Sequence, residues 1–110
     1  MTERDYAIYQ GNSWNPGAVI TENGTAKNCT DFSCKLIIKE SNSRSSAIIL
    51  EKAIDWTVQS EGTGTFTLTD SQTLGLKIQS YYYEAILYKT GYEKAIKKGK
   101  LIIEPALGLT

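Results

Sequence analysis

The sequence predicts an all-β domain: an antiparallel β-sandwich of about seven to nine short strands, with one short helical turn near residues 70–75. Three observations point there. Short runs of branched and aromatic residues recur along the chain, separated by clusters of Gly, Asn, Ser and Thr that favour turns. Several runs alternate apolar and polar side chains with the period of two that a half-buried strand requires, most cleanly in Thr65-Phe66-Thr67-Leu68-Thr69. No stretch sustains the 3.6-residue apolar period of a long amphipathic helix.

Taken in order, Asp5 to Gln10 sets Tyr6 and Ile8 against Ala7 and Tyr9 and reads as a first strand at a sheet edge, ending at Gly11. Ala18 to Thr21 is a short strand, with Pro16 where a missing N–H is tolerated. Asn23-Gly24 accepts positive φ and suits a two-residue hairpin turn. Ala26 to Phe32 is irregular and is expected to lead over the core, anchored by Phe32. Ser33 to Glu40 reads as a firm strand with Cys34, Leu36 and Ile38 inward and a mostly solvated face of Lys35, Ile37 and Lys39. The polar run Ser41 to Ser46 is expected to be an exposed loop, where function often resides. Ala47 to Leu50 and Ile54 to Gln59 follow as strands, with Trp56 expected at the core centre, and Ser60 to Gly64 reads as a turn. Asp70 to Gly75 reads as a helical turn with Asp70 or Ser71 as N-cap and Gly75 as its stop.

The stretch from Gln79 to Glu104 reads as a long hairpin around a Thr90-Gly91 turn. Tyr81, Tyr83, Ala85 and Leu87 share the face expected inward, while Tyr82, Glu84, Ile86 and Tyr88 share the other. Gly99 in the second strand marks a bulge or a close backbone approach.

A length of 110 residues fits one domain spanning 1–110, which by size buries roughly 65% of the surface of its unfolded chain. Twelve basic residues balance twelve acidic ones, so no long-range field draws the chain to nucleic acid or anionic lipid, and neither is an expected partner. The polar start Met1 to Asp5 lacks a secretory h-region, and no apolar run approaches the roughly 20 residues of a membrane span, which gives an expectation of cytosolic synthesis.

The absence of histidine removes the commonest general base and the Ser-His-Asp arrangement, so the chain is not expected to be an enzyme. No cofactor is expected. Cys29 and Cys34 are spaced for a small disulfide loop or for two separate thiols packed as small apolar residues; a zinc site would lack further ligands, so no metal is expected. Gly62-Thr63-Gly64-Thr65 precedes a strand rather than the helix a phosphate loop needs. Lys94, Lys97, Lys98 and Lys100 near Tyr88 and Tyr92 read as a solvated, edge-protecting face.

Seven tyrosines and two tryptophans are the better functional hint, because aromatics with a polar tip suit interfaces and sugar stacking. Tyr82 and Tyr88 on the outward hairpin face, Trp14 in its loop and Tyr9 in the first strand are the candidate partner-binding residues.

Five segments in order carry a resemblance. Tyr9-Gln10-Gly11-Asn12-Ser13-Trp14 is similar to a Gly-x-x-aromatic opening, and Asn28-Cys29-Thr30-Asp31-Phe32 to an Asp-Leu-Thr-Gly-Tyr segment before a basic strand. Gly64 to Thr69 followed by Ser71-Gln72-Thr73-Leu74 is similar to a Gly-x-Ile-x-Leu strand and helical turn. Tyr81-Tyr82-Tyr83-Glu84 is similar to Tyr-x-Tyr-Asp, and Lys98 to Pro105 to a closing Gly-x-hydrophobic-x-hydrophobic-x-Pro. In this order, from about Tyr6 to Pro105, the chain resembles the N-terminal domain family of phage baseplate upper proteins. It departs at Asn28 and Asp31, where the family has an acid and a glycine, and at Ile78-Gln79-Ser80, where a Pro-Gly is missing.

The resemblance implies an immunoglobulin-like β-sandwich and a non-enzymatic virion component, a tail, baseplate or neck adaptor made in the bacterial cytoplasm. It further implies contacts with other tail or baseplate proteins and a homo-oligomer. At 110 residues the chain is expected to lack room for a fibre or receptor head of its own, so an adaptor, a neck or tail component, or a fragment is expected. A carbohydrate-binding or adhesin module recognising host glycans is the alternative.

Overall fold

The computed structural model describes residues 2–105. Met1 and residues 106–110, which the single-domain reading 1–110 includes, lie outside the described residues. Strands form where branched and aromatic side chains alternate: β1 (Thr2–Glu3), β2 (Tyr6–Tyr9), β3 (Gly17–Val19), β4 (Thr21–Glu22), β5 (Thr25–Ala26) and β6 (Ser33–Lys39). Then come β7 (Ile48–Ala53), β8 (Asp55–Val58), a 3-10 turn at Gln59–Glu61, β9 (Thr63–Thr65), α1 (Asp70–Leu74), β10 (Ser80–Lys89) and β11 (Tyr92–Glu104). The segments outnumber the expected strands because the first strand breaks at Arg4-Asp5 and the Asn23-Gly24 turn joins two very short ones.

The β10–β11 hairpin is the centre of a six-stranded sheet ordered β1-β11-β10-β6-β7, with β2 also on β11. Its turn uses Gly91 at φ +78°, as a tight hairpin requires. One residue, Ile96, is extra on β11, so the register shifts between Ala85 and Ile86 and the strand twists more sharply there. All pairings in this sheet are antiparallel except those of β1 and β2, which run parallel to β11. The expected first strand is thus confirmed at the sheet edge, but with the opposite pairing sense to the rest of the sandwich.

The second sheet, β3-β9-β8, is short. Beyond β9 the chain stays extended: the Phe66 N–H donates to the Pro16 carbonyl at 3.0 Å, and Trp14 and Leu68 exchange both backbone bonds at 3.0 and 2.9 Å. Phe66 and Leu68 are fully buried, so the Thr-Phe-Thr-Leu-Thr alternation points inward as expected although regular pairing covers only its first residue.

Between the sheets, Cys34, Leu36, Ile38, Tyr81, Tyr83, Ala85, Leu87, Leu101 and Ile103 meet Trp14, Ala18, Phe66 and Leu68. Three expectations are corrected here. Trp56 is only half-buried at the margin, because β8 is an outer strand of the smaller sheet; Trp14 and Phe66 fill the centre instead. Phe32 is half-buried, stacked edge-on to Tyr92 at 5.2 Å, and the anchor of its segment is the fully buried Cys29, whose N–H and C=O both bond to Gln59. The cap of α1 is Thr69, one residue earlier than expected, and with Gln72 it forms a reciprocal capping box.

Cys29 and Cys34 are free and buried, not bridged. Burial pushes the Cys34 thiol up to about 12, with Cys29 adding to the shift and the Lys35 N–H opposing it. Such a thiol is neutral and packs as a small apolar group.

Candidate functional site

Register fixes what the outer face of the large sheet presents. Tyr82 lies between Lys100 on β11 and Lys39 on β6, and Glu84 lies between Lys98 and Ile37. The loop after β6 rises beside this row. Ser43 and Ser45 hydroxyls are 2.9 Å apart, the Ser46 N–H donates to the Ser43 carbonyl, and Lys39 Nζ donates to the Arg44 carbonyl at 3.2 Å. The Ser-Asn-Ser run thus makes a compact turn tied to its own strand, for the reason these residues favour turns: short side-chain oxygens bond nearby backbone.

On the opposite side, the β1–β2 break crosses directly over Gly99. A Cβ on Gly99 would lie 1.9 Å from the Arg4 carbonyl oxygen, so only glycine lets the chain pass. Three bonds hold the crossing down. The Arg4 N–H donates to the Lys98 carbonyl at 2.9 Å, the Tyr83 hydroxyl donates to the Arg4 carbonyl, and the Lys100 N–H donates to Asp5 Oδ1 at 2.9 Å.

Loop and crossing enclose an open groove of about 530 Å³, floored by Ile37, Tyr82 and Glu84 and walled by the 41–44 loop and by Asp5, Lys98 and Lys100. Its lining carries four cationic side chains, Lys39, Arg44, Lys98 and Lys100, against two carboxylates. The ion pairs among the described residues, Lys27–Glu22 at 2.5 Å and Lys35–Glu51 at 3.8 Å, involve none of the four. Among the described residues no three metal-ligating side chains come together. Among the described residues no helix is long and apolar enough to cross a membrane.

The candidate contact residues separate. Tyr82 lies in the groove floor. Tyr88 is on the same strand face, six positions on and so about 20 Å away, half-buried with Lys35 Nζ 5.0 Å from its ring centre. Tyr9 is 51% exposed at the sheet edge opposite Glu104. Trp14 is not a surface residue: its bridge to Leu68 turns the indole between the sheets, where it is 6% exposed and packs edge-on to Tyr6 and Tyr83 at 5.2 and 5.7 Å.

Sequence reading also placed Lys98 and Lys100 on an edge-protecting face. β11 is instead an inner strand, covered by β1 and β2, and these lysines flank the groove. The signal for the groove was divided between the 41–46 loop and the charged residues of β11, which only the register of β6, β10 and β11 brings together.

No protein-family model and no curated protein matches the sequence. Solved structures do match in fold. The chain is similar to the N-terminal domain of phage TP901-1 ORF48, with 15% identity and a TM-score of 0.52, covering 94% of this chain and 99% of that one. It is also similar to the extracellular domain of the voltage-gated sodium channel beta4 subunit, described as forming parallel homodimers that explain its role in cell–cell adhesion. There the identity is 11% and the TM-score 0.53, over 97% of this chain and 95% of that one. A second sodium-channel beta-subunit structure, from work on multimeric cell-adhesive interactions, matches at 11% identity and a TM-score of 0.53, over 94% and 93%. The fold is therefore the immunoglobulin-like sandwich, and it resembles the phage domain across essentially the full length of both chains.

Proposed function

We propose that this protein is a non-enzymatic structural component of a phage virion, a tail, baseplate or neck adaptor that works through protein–protein contacts and self-associates. The observation that carries this reading is the full-length fold likeness to the N-terminal domain of phage TP901-1 ORF48, which agrees with the phage resemblance of the ordered sequence motifs. The sodium-channel domains are a precedent for this fold in homodimers and multimeric cell-adhesive interactions. Virion assemblies are symmetric, which favours a closed homo-oligomer. Tyr9, Tyr82 and Tyr88 remain the proposed contact aromatics, and Trp14 serves the core.

Light scattering and negative-stain microscopy of the purified protein, alone and with the proteins encoded by neighbouring genes, test this reading. A defined oligomer or a complex is expected; a strict monomer that binds none of those proteins contradicts it. A glycan-binding adhesin is the second reading, favoured by the Tyr82 ring in a groove rimmed by serine and asparagine side chains. Titration with neutral host-surface glycans, followed by the NMR shifts of the Tyr82 and Ser43 amides, separates the two: saturable shifts favour the adhesin, and none are expected of the adaptor.

A further inference from the structure

The chain as a whole is neutral, yet the groove on the outer face of the large sheet is not. Four cations line it, and its two carboxylates are placed so that they leave much of that charge free. Asp5 accepts the Lys100 backbone N–H rather than an ammonium, and Glu84 has a single cationic neighbour in register, Lys98. Among the described residues, Lys39 and Arg44 on the loop side take part in no ion pair, and Lys39 Nζ donates to the Arg44 carbonyl. Between the two cationic walls the floor is apolar at the Tyr82 ring and Ile37, with the Glu84 carboxylate beside them, in register with Lys98.

We propose that the groove binds a short acidic peptide segment of a partner protein, its carboxylates held by Lys39 and Arg44 on one wall and Lys98 and Lys100 on the other. An apolar side chain of the segment rests on Tyr82 and Ile37. The volume, about 530 Å³, falls inside the roughly 300–1,000 Å³ usual for ligand sites. Amphipathic chemistry favours a peptide over a small anion, because an inorganic anion would use the walls and leave the floor empty. Opposed walls of one sign also steer an acidic partner in from a distance and fix its register. This proposal rests on the adaptor reading and names one docking site for it.

The test uses the intact protein and a fluorescein-labelled octapeptide of Asp and Glu with one central Phe, beside its Asn/Gln counterpart and a sulfated disaccharide. Fluorescence anisotropy is expected to show saturable binding of the acidic peptide only, weakening as salt rises from about 50 to about 200 mM. K98E/K100E is expected to weaken binding about tenfold or more, and Arg44→Ser, in the exposed loop, about two- to fivefold. Circular dichroism checks that both variants are folded, and Arg44→Ser keeps the test decisive if the double variant unfolds. Equal binding of both peptides, or unchanged affinity in folded Arg44→Ser, overturns the proposal. So does tighter binding of the sulfated disaccharide than of the acidic peptide, which would give the groove to an anionic glycan. Failure here while the protein still co-assembles with tail proteins removes the acidic-peptide assignment alone; loss of co-assembly removes the adaptor reading.

Discussion

Tyr83 joins core, crossing and groove in one side chain. Its ring is buried against Tyr6 and Trp14, with centroids 5.7 Å away in both cases, and its hydroxyl holds the Arg4 carbonyl. Tyr83→Ala is expected to cost roughly 3–5 kcal/mol in urea unfolding, because it removes a large buried ring from the core. Gly99→Ala acts on the same crossing from below. The new Cβ would meet Arg4 backbone rather than a flexible side chain, so we expect at least the 1–3 kcal/mol typical of overpacking. Hydrogen exchange should speed up at the Arg4 and Lys100 amides, which the crossing protects.

The buried thiols give a pH signature. Burial raises the Cys34 thiol to about 12, and it raises Cys29 and the Tyr83 phenol in the same direction. In the unfolded chain a thiol loses its proton near pH 8.5. Above that pH the folded state therefore holds more protons than the unfolded one, and stability falls as pH rises. The contribution is fully present below about pH 8.5 and is lost progressively towards about pH 12. Melting temperature is expected to decline over this window, and Cys34→Ala should show a shallower decline even if it starts lower.

Among the elements, α1 is held by its cap more than by length. At five residues it cannot sustain itself, and the Thr69–Gln72 box satisfies its first N–H groups while the Thr73 hydroxyl donates to the Asn12 carbonyl at 2.6 Å. Thr69→Ala is expected to cost about 1 kcal/mol by denaturant melting. This turn and the hairpin were legible in the sequence because their signals are local. Alternation identified the inward Tyr81, Tyr83, Ala85 and Leu87, although Ile37 and Ile86 on the face expected to be solvated are buried too, and Thr90-Gly91 and Asn23-Gly24 announced their turns. Trp14 and Trp56 were misjudged for the opposite reason. A lone Trp in an irregular segment takes its orientation from a distant partner, here Leu68, and one in a regular strand loses cover when that strand is at a sheet margin. The role of Gly99 was half legible: close packing is there, while the bulge falls at Ile96.

At the scale of the molecule, the parallel pairing of β1 and β2 with β11 brings the chain's beginning against its last strand. That return, made at Arg4-Asp5, supplies one wall of the groove, and the 41–44 loop supplies the other. Long-range register builds the site from residues 5 to 100, which is why no motif revealed it. The large sheet therefore has a packed inner face and an outer face with a charged groove beside scattered tyrosines. Light scattering of the purified protein, alone and mixed with the proteins encoded by neighbouring genes, should give a discrete species larger than the 12.2 kDa chain. A monomer at every concentration, unchanged by any of those proteins, would contradict it.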